Sequence, residues 1–495
     1  MKVLASSTDL RTRGLSSVSA SIVSALALLA IFRLTVTIAG VATLGVWALL
    51  QGLFIVTRIA DSGVGANVTK HAAVLIREHR AWSAWRLLAS ASVLGTAPVA
   101  GLCLVTFWPI LWYVSHRYSN SVPDTQIVAM AITAVIFGIL SSFSTISLSV
   151  CEGSGRLTAK NNVLIASNLL ALGSAYPLIS TWKGLGVGLT YSVMAITQMV
   201  LALALLSRLK SHKAANLEPE GIREGARLLW RQNAQLMSVA TFRLTFEPAT
   251  KLFLSLTGGL AIIAAFELAL RVSTQVRVLV QAGAQPLLFL GARRDFEASP
   301  EVLRKFLKAD DFIRHLVVFL TAIQLVSAAG LSLVGLGYVD SNFLIFFGIL
   351  AIANSANASG MAGYYLQLSS GDLRPLVKIH FVMAVINMIG GSAALLVSST
   401  AVVAAYAMTL TYGGIALMRI FMIASQRTWG SYIMDVTGSR LVMLGILSGS
   451  LICLAYLSPG IRESNVQILI LSCASALAVG SFAGTYAFRA LRRLD

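Results

Sequence analysis

The chain is a succession of apolar runs, each close to the length that crosses a lipid bilayer. A helix needs about 20 predominantly apolar residues to span the hydrocarbon core of a membrane. Such runs recur along almost the whole sequence, in which 57% of the 495 residues are hydrophobic and only 12% are charged. This composition excludes a soluble globular protein of this length. The pattern predicts an all-α polytopic membrane protein.

Division of the sequence at this length predicts fourteen transmembrane helices. They cover residues 17–38, 44–64, 87–114, 126–150, 162–181, 185–207, 233–256, 260–288, 312–334, 342–367, 376–397, 401–424, 439–458 and 466–488. The first run is too long for a removable signal peptide and has no small-residue cleavage pattern.

The order of the predicted helices suggests two six-helix bundles around a central cavity. The predicted divisions are an N-terminal bundle (1–207), a cytoplasmic linker (208–232), a C-terminal bundle (233–425) and two additional helices (426–495).

Basic residues are distributed very unevenly between the alternate loops of this arrangement. Of the 38 Lys and Arg residues, 28 fall on the side of the N-terminus, 3 fall on the opposite side and 7 lie within spans. Positive charge marks cytoplasmic loops, so both termini are predicted to be cytoplasmic. Because topology accounts for the net charge of +18, nucleic acid is not expected as a partner.

The predicted linker contains the stretch "LEPEGIREGARLLWRQ". Ile222, Ala226, Leu229 and Trp230 recur there at helical spacing beside arginines. This periodicity favours an amphipathic helix at the membrane surface, and a solvated connector is the alternative.

Seven basic residues lie inside the predicted spans, apart from Arg314, Lys378 and Arg440 at the cytoplasmic ends of spans, which are counted with the adjoining loops. The seven are Arg33, Arg58, Arg243, Lys251, Arg271, Arg277 and Arg419. A charge near the bilayer centre costs roughly 2.5–3.5 kcal/mol, so these side chains are expected to face a protein interior or a watery cavity. Arg419 is an exception, since it lies close enough to a helix end to reach the membrane surface.

Acidic residues in the same spans are fewer. They are Asp61, Glu247 and Glu267. Glu247 stands one helical turn from both Arg243 and Lys251, and Glu267 stands one turn before Arg271, so each acid is either an ion-pair partner or a proton carrier. The excess of positive charge suits an anionic substrate. Pro248 is expected to kink its helix.

No residue pattern for catalysis or metal binding is present in the sequence. The four cysteines lie in or beside apolar runs without CxxC or His partners, which supports neither disulfides nor zinc. No Ser-His-Asp, paired-carboxylate or metal-ligand arrangement appears. We therefore predict a protein with no enzymatic activity and no cofactor.

Three segments resemble bacterial polysaccharide-unit flippases of the multidrug/oligosaccharidyl-lipid/polysaccharide exporter superfamily. They are "LGVWALLQGLFIVTRIADSGVGANVTKHAA", "FEPATKLFLSLTGGLAIIAAFELALRVSTQV" and "SVCEGSGRLTAKNNV". The resemblance extends over roughly residues 15–430. It implies a bacterial inner-membrane protein that moves glycan units linked to undecaprenyl pyrophosphate, for surface or exopolysaccharide synthesis. Membrane lipids, a polysaccharide polymerase and other export proteins are the partners it suggests.

The resemblance also implies roles for particular residues. Helices 1, 2, 7 and 8 line the cavity of such transporters, and their cations attract the pyrophosphate. The corresponding cations here are Arg33, Arg58, Arg271 and Arg277, with Arg243 and Lys251 as additions. At the cytoplasmic rim, Asp61, Gly63 and Gly65 fit either a rigid turn or a gating hinge.

Two other functions are compatible with a polytopic membrane protein. A drug or organic-cation antiporter of the same superfamily would need a buried carboxylate in the N-terminal bundle, but helix 1 offers Arg33 and no acid. A membrane-embedded polysaccharide polymerase or ligase would need large external loops with catalytic groups. The external loops predicted here are short.

Overall fold

A computed structural model describes residues 7–55, 64–77, 84–208, 222–291, 300–370 and 373–426. Over these ranges the secondary structure is entirely α-helical. Nine of the described helices are long and apolar enough to cross a membrane, or ten if one bent pair counts as a single span. The prediction of an all-α polytopic membrane protein is therefore confirmed.

The chain divides into two compact units, Met1–Leu252 and Phe253–Asp495. The helices up to this division are α1 (Ser7–Ala39), α2 (Val41–Ile55), α3 (Val64–Arg77), α4 (Ala84–Leu94), α5 (Thr96–Tyr118), α6 (Asp124–Gly153), α7 (Leu157–Trp182), α8 (Gly184–Ser207) and α9 (Ile222–Thr257), in whose last turns the division falls. In the first unit α1 packs along α7, and α6 packs against α8 and α3.

The second unit is organised around a central buried helix. Its helices are α10 (Gly259–Gly291), α11 (Pro300–Val326), α12 (Ala328–Leu336), α13 (Ser341–Ser359), α14 (Met361–Ser370), α15 (Arg374–Ala394) and α16 (Ser399–Ser425). The central helix α13 packs against α10, α11 and α16. Phe343, Phe346 and Phe347 are fully buried on it, as expected of a helix enclosed by its neighbours.

Several predicted spans consist of two helices rather than one. The predicted span 87–114 is α4 followed by α5, with Gly95 between them, and 342–367 is α13 followed by α14, with Gly360 between them. The predicted span 312–334 covers the second half of α11, which begins at Pro300, and most of α12, and the two helices meet at an angle of 61°. In the predicted span 44–64, α2 ends at Ile55 and residues 56–63 lie outside the described part of the chain.

The segment predicted as an amphipathic linker is partly absorbed into α9. This helix begins at Ile222 and continues through Pro248 to Thr257. Between Ile222 and Pro248 the sequence has one glycine and no proline, so nothing in it ends the helix early. The predicted helices at 439–458 and 466–488 lie outside the described residues.

Small residues bring α3 and α6 into close contact. A Cβ atom at Gly153 would lie 2.6 Å from the carbonyl oxygen of Thr69 and 2.7 Å from the Cβ of Ala72. A Cβ at Gly65 would lie 2.9 Å from Ser149 Oγ. Membrane helices pack closely where such residues allow their backbones to approach, and here the contact fixes α3 against the end of α6.

Candidate functional site

One predicted cation is completely buried on α9. The Lys251 ammonium lies 2.7 Å from Glu247 Oε1, and the two side chains are 0% and 19% exposed. The pair joins residues one helical turn apart, as their spacing predicted. Removing one partner of a buried ion pair typically costs about 3–5 kcal/mol, because the other charge is left in the interior. Glu247 therefore stabilises Lys251 in a place where a lone ammonium would be expensive.

A glycine of α2 makes room for this lysine. A Cβ atom at Gly52 would lie 2.4 Å from Lys251 Cδ and 3.1 Å from its Nζ. The aliphatic stem of Lys251 therefore runs directly over the α2 backbone. The role of Gly52 was not predicted from the sequence, because a glycine inside an apolar helix gives no sign of the distant side chain that needs the space.

The second ion pair, on α10, has the opposite pattern of burial. Arg271 Nε lies 2.8 Å from Glu267 Oε1, with the arginine 29% exposed and the glutamate only 1% exposed. Here the carboxylate is buried and the cation is partly accessible. A guanidinium is planar, always charged and able to bind phosphate oxygens through two parallel hydrogen bonds. Arg271 thus combines a buried partner that orients it with surface that an anion can reach.

The remaining predicted cations differ in how much the structure describes. Arg33 on α1 is exposed, and Arg277 on α10 is half-buried. Arg243 lies on α9, but its side chain is outside the described part of the structure, and Arg58 falls between α2 and α3 in residues that are not described. Of the described cations, Arg33 and Lys251 belong to the first unit, and Arg271 and Arg277 belong to the second.

The residues predicted at the cytoplasmic rim are also only partly described. Gly65 is in the first turn of α3 beside Ser149, whereas Asp61 and Gly63 fall outside the described residues. Pro248 is buried within α9. The choice between a rigid turn and a hinge at residues 61–65 stays a prediction.

A buried charge cluster midway along α11 was not predicted from the sequence. Arg314 is 2% exposed, and its Nη2 lies 3.0 Å from Asp310 Oδ2 and 2.5 Å from Asp311 Oδ1. In the predicted topology, Arg314 is counted with the basic residues of a cytoplasmic loop. The spacing of the two aspartates, three and four residues before the arginine, is the signal that predicts such a cluster once the segment is known to be helical.

The chemistry open to these residues is the binding of anions. Within the described ranges, no group of three or more His, Cys, Asp or Glu side chains is arranged to hold a metal ion. Arginine and lysine within membrane helices provide fixed positive charge in surroundings of low dielectric constant, where electrostatic attraction is stronger than in water.

Comparison with solved structures finds the same fold in membrane transporters. A multidrug resistance MATE family transporter of the MOP superfamily, in an inward-facing conformation, matches with a TM-score of 0.66 at 11% identity over 88% of this chain and 99% of its own. The lipid II flippase MurJ, in an inward closed conformation, gives 0.61 at 11% identity over 97% and 99%. A mutant of the Vibrio cholerae MATE transporter VcmN gives 0.61 at 15% identity over 85% and 98%.

Comparisons at the level of sequence add no further assignment. No protein-family model matches the chain, and no curated protein matches it. The likeness is therefore one of fold, and at that level it confirms the resemblance seen in the sequence to exporters of this superfamily. This multi-pass membrane protein has the fold of the MOP superfamily transporters.

Proposed function

We propose that this protein is a flippase that moves glycan units linked to undecaprenyl pyrophosphate across the bacterial inner membrane. It works by alternating access to a cationic cavity, with both termini in the cytoplasm and without enzymatic activity. Its product serves the synthesis of a surface or exported polysaccharide. A polysaccharide polymerase and other export proteins are the partners that this role suggests.

The observation that carries this proposal is the partly exposed Arg271 beside the buried Glu267. The cation has 29% of its side chain exposed, while its carboxylate partner is 1% exposed. An anion arriving at this place meets the guanidinium rather than the acid. The pyrophosphate of a lipid-linked glycan has the oxygen geometry that a guanidinium binds in a bidentate manner.

The charge balance of the spans supports the same proposal. The predicted helices 1, 2, 7 and 8 carry six cations and three acids. The two acids that the structure describes are each bound to one of these cations. A net positive charge therefore remains after internal pairing, and it attracts an anionic substrate. The fold supports the transport of a lipid-linked substrate as well, because the lipid II flippase MurJ shares it.

Export of cationic drugs is the second candidate function, and the MATE transporters with the same fold favour it. The distribution of charge argues against it. The predicted first span has Arg33 and no acid, and a net cationic interior repels a cationic drug. We expect that expression of this protein in a drug-sensitive strain gives no resistance to cationic dyes.

The proposal is tested by substitution of the cations in a flippase-null strain. Arg58→Ala and Arg271→Ala should abolish or severely reduce surface polysaccharide, with lipid-linked precursor accumulating inside. The loss of one charged hydrogen bond of about 1.5–3 kcal/mol corresponds to a roughly ten- to hundred-fold loss of substrate affinity. Lysine at either position should restore export only in part, since it keeps the charge but loses the bidentate fork.

The matched control is Arg419→Ala, an exposed arginine on α16 in a predicted span outside the proposed cavity helices. Export by this variant should stay near that of the parent at equal membrane levels. Full export by both Arg58→Ala and Arg271→Ala would refute the cationic-cavity mechanism.

A further inference from the structure

The ion pairs of α9 and α10 present opposite charges to their surroundings. On α10 the accessible member of the pair is the cation Arg271, and its partner Glu267 is enclosed. On α9 the accessible member is the carboxylate of Glu247, and its partner Lys251 is enclosed. Each pair is therefore a fixed dipole. Its accessible end is positive in the second unit and negative in the first.

The lysine has no room to reverse this arrangement. Its ammonium is held 2.7 Å from Glu247 Oε1, and its stem crosses Gly52 so closely that a Cβ atom there would lie 2.4 Å from Lys251 Cδ. A side chain that is closely packed along its length and tied at its end does not change rotamer without displacing its neighbours. A ligand that reaches this pair therefore meets the carboxylate, whereas the sequence alone groups Lys251 with the substrate-binding cations.

The accessible surface of Glu247 opens onto water or a ligand rather than onto lipid. Glu247 lies within the predicted span 233–256 and precedes Thr257, the last residue of α9, by ten positions, or about 15 Å along the helix. Charged side chains at such a depth are too costly in hydrocarbon, so they face the protein interior or a water-filled cavity. In transporters this kind of cavity is the path of the substrate. The part of Glu247 that stays accessible is therefore placed to contact a substrate.

The chemistry of a carboxylate limits what it binds. It has acceptor oxygens and no donor, so it binds groups that carry N–H or O–H, and hydrogen bonds to a charged acceptor are short and strong. Sugar hydroxyls, acetamido groups and amino groups are donors of this kind. Uronic acids, sulfates and phosphates bring a second negative charge beside the first, which is unfavourable. The same repulsion excludes the pyrophosphate from this position.

We propose that Glu247 binds the glycan of the substrate and selects sugars that are neutral or carry an amino group. This inference rests on the proposed function, in which Arg271 binds the pyrophosphate. The two parts of a lipid-linked glycan differ in the same way as the two ion pairs, since one part is anionic and the other is rich in hydroxyl donors. Lys251 is a positioning residue that acts through Glu247, because it holds the carboxylate at 2.7 Å.

The experiment compares the transport of two substrates in proteoliposomes that contain the full-length protein. Both are trisaccharides linked to undecaprenyl pyrophosphate, one built of neutral hexoses and the other of the corresponding uronic acids. The parent protein should move the neutral glycan about tenfold faster or more. Glu247→Gln keeps an acceptor oxygen and removes the charge, so it should bring the ratio of the two rates close to one.

A second variant is needed because Glu247→Gln leaves the buried charge of Lys251 unbalanced. Glu247→Gln/Lys251→Met removes both charges at similar volume, a change that buried ion pairs often tolerate. It should show the same loss of discrimination. Glu152→Gln is the matched control, since Glu152 at the end of α6 forms a comparable pair with Lys160 of α7, at 2.6 Å. Its ratio of rates should equal that of the parent.

Two outcomes would overturn this inference and leave the flippase proposal standing. One is equal or faster movement of the acidic glycan by the parent protein. The other is a preference for the neutral glycan that persists in both Glu247 variants, and a loss of pH dependence in these variants at an unchanged ratio would identify Glu247 as a proton carrier instead. Movement of neither glycan by the parent would contradict the proposed function, together with the inference that rests on it.

Discussion

At the scale of single residues, the two ion pairs differ in which partner is buried. In one pair the ammonium of Lys251 is fully enclosed, and in the other the carboxylate of Glu267 is. An enclosed cation is held for structural reasons, whereas a partly exposed cation with an enclosed partner is presented to a ligand. We therefore expect Arg271 to affect substrate binding and Lys251 to affect stability first.

Gly52→Ala tests the structural role of Lys251. The new methyl group would lie 2.4 Å from Lys251 Cδ, and the lysine is buried on all sides and cannot move away. We expect a loss of about 1–3 kcal/mol in the free energy of unfolding, as is typical of overpacking. Thermal unfolding in detergent measures it.

The control for this substitution is Gly173→Ala in α7, where an added Cβ meets no atom within 4 Å. It should be neutral or slightly stabilising, because alanine favours helix more than glycine does. In the double variant Gly52→Ala/Lys251→Ala, the cost should be no larger than for Lys251→Ala alone. If the cost of the double variant equals the sum of the costs of the two single variants, positions 52 and 251 do not interact.

Glu267→Gln separates an orienting acid from a proton carrier. We expect transport in proteoliposomes to fall, because the neutral amide holds Arg271 less firmly than the carboxylate at 2.8 Å. The pH dependence of the remaining transport should match that of the parent. A flat pH profile in this variant alone would identify Glu267 as the group that carries protons.

Much of the charge pairing could be predicted from the sequence, and the depth of each charge could not. The i,i+4 spacing of Glu247 with Lys251 and of Glu267 with Arg271 is enough to predict contact on a helix. Which partner is buried depends on the neighbouring helices. Gly52 is about 200 residues away from Lys251 in the sequence, and no local pattern connects them.

At the scale of helices, the N-terminus of α13 is capped by a half-buried acid. Asp340 Oδ1 accepts a hydrogen bond from the Phe343 backbone at 2.7 Å, and Ser332 Oγ accepts one from the Asp340 backbone at 3.0 Å. Burial raises the pKa of Asp340 above its usual value, although backbone hydrogen bonds from Phe343 and Asn342 oppose this. Ionised Asp340, in the loop between α12 and α13, therefore caps the helix at a cost in free energy, because burial disfavours its charge.

The raised pKa predicts how stability changes with pH. A carboxyl whose pKa is higher in the folded state contributes most below its unfolded pKa, and this contribution is lost as the pH rises through the folded value. Asp340→Asn keeps a good capping residue and removes the titration. We expect the variant to lose this part of the acid-range slope and to be at least as stable as the parent at neutral pH.

A series of unfolding temperatures across the acidic range, for the parent and for Asp340→Asn, measures this effect. A variant whose stability relative to the parent falls as the pH rises through the acidic range, or a clear loss of stability at neutral pH, would show that the carboxylate is the better cap in its ionised form.

The existence of most helices followed from hydropathy, while their breaks did not. An apolar run shows that a span is present, but Ser327 and Gly95 interrupt runs that remain apolar on both sides. How the part of the run on each side of the break packs against other helices decides where the break falls. The sequence of the run does not show that packing. In α9 the charged residues Arg243, Glu247 and Lys251 lower the hydropathy of the segment. The spacing of the residues around them still predicts a helix.

At the scale of the whole molecule, the arrangement of spans across the membrane is testable by labelling. Single cysteines at Ser119 and Asn465 should react with an impermeant thiol reagent added outside, and those at Ser211 and Ser299 only after the cytoplasmic side is opened. Ser119 follows α5 in the described structure, and the other three positions lie outside the described residues.

This labelling is carried out in a variant in which all four native cysteines are replaced. Cys103 and Cys151 are buried, so they contribute little reactivity even where replacement is incomplete. Labelling of Ser119 and Ser211 from the same side would contradict the predicted topology, because an odd number of spans is predicted between them.

The contact between Gly52 and Lys251 has a consequence for how such a sequence can evolve. With a Cβ only 2.4 Å from the lysine stem, any larger residue at position 52 is tolerated only after position 251 has become shorter. The order of the two changes is therefore constrained, since replacing the glycine first passes through a destabilised protein. Among homologues of this chain, we expect a residue larger than glycine at position 52 to accompany a shorter residue at position 251.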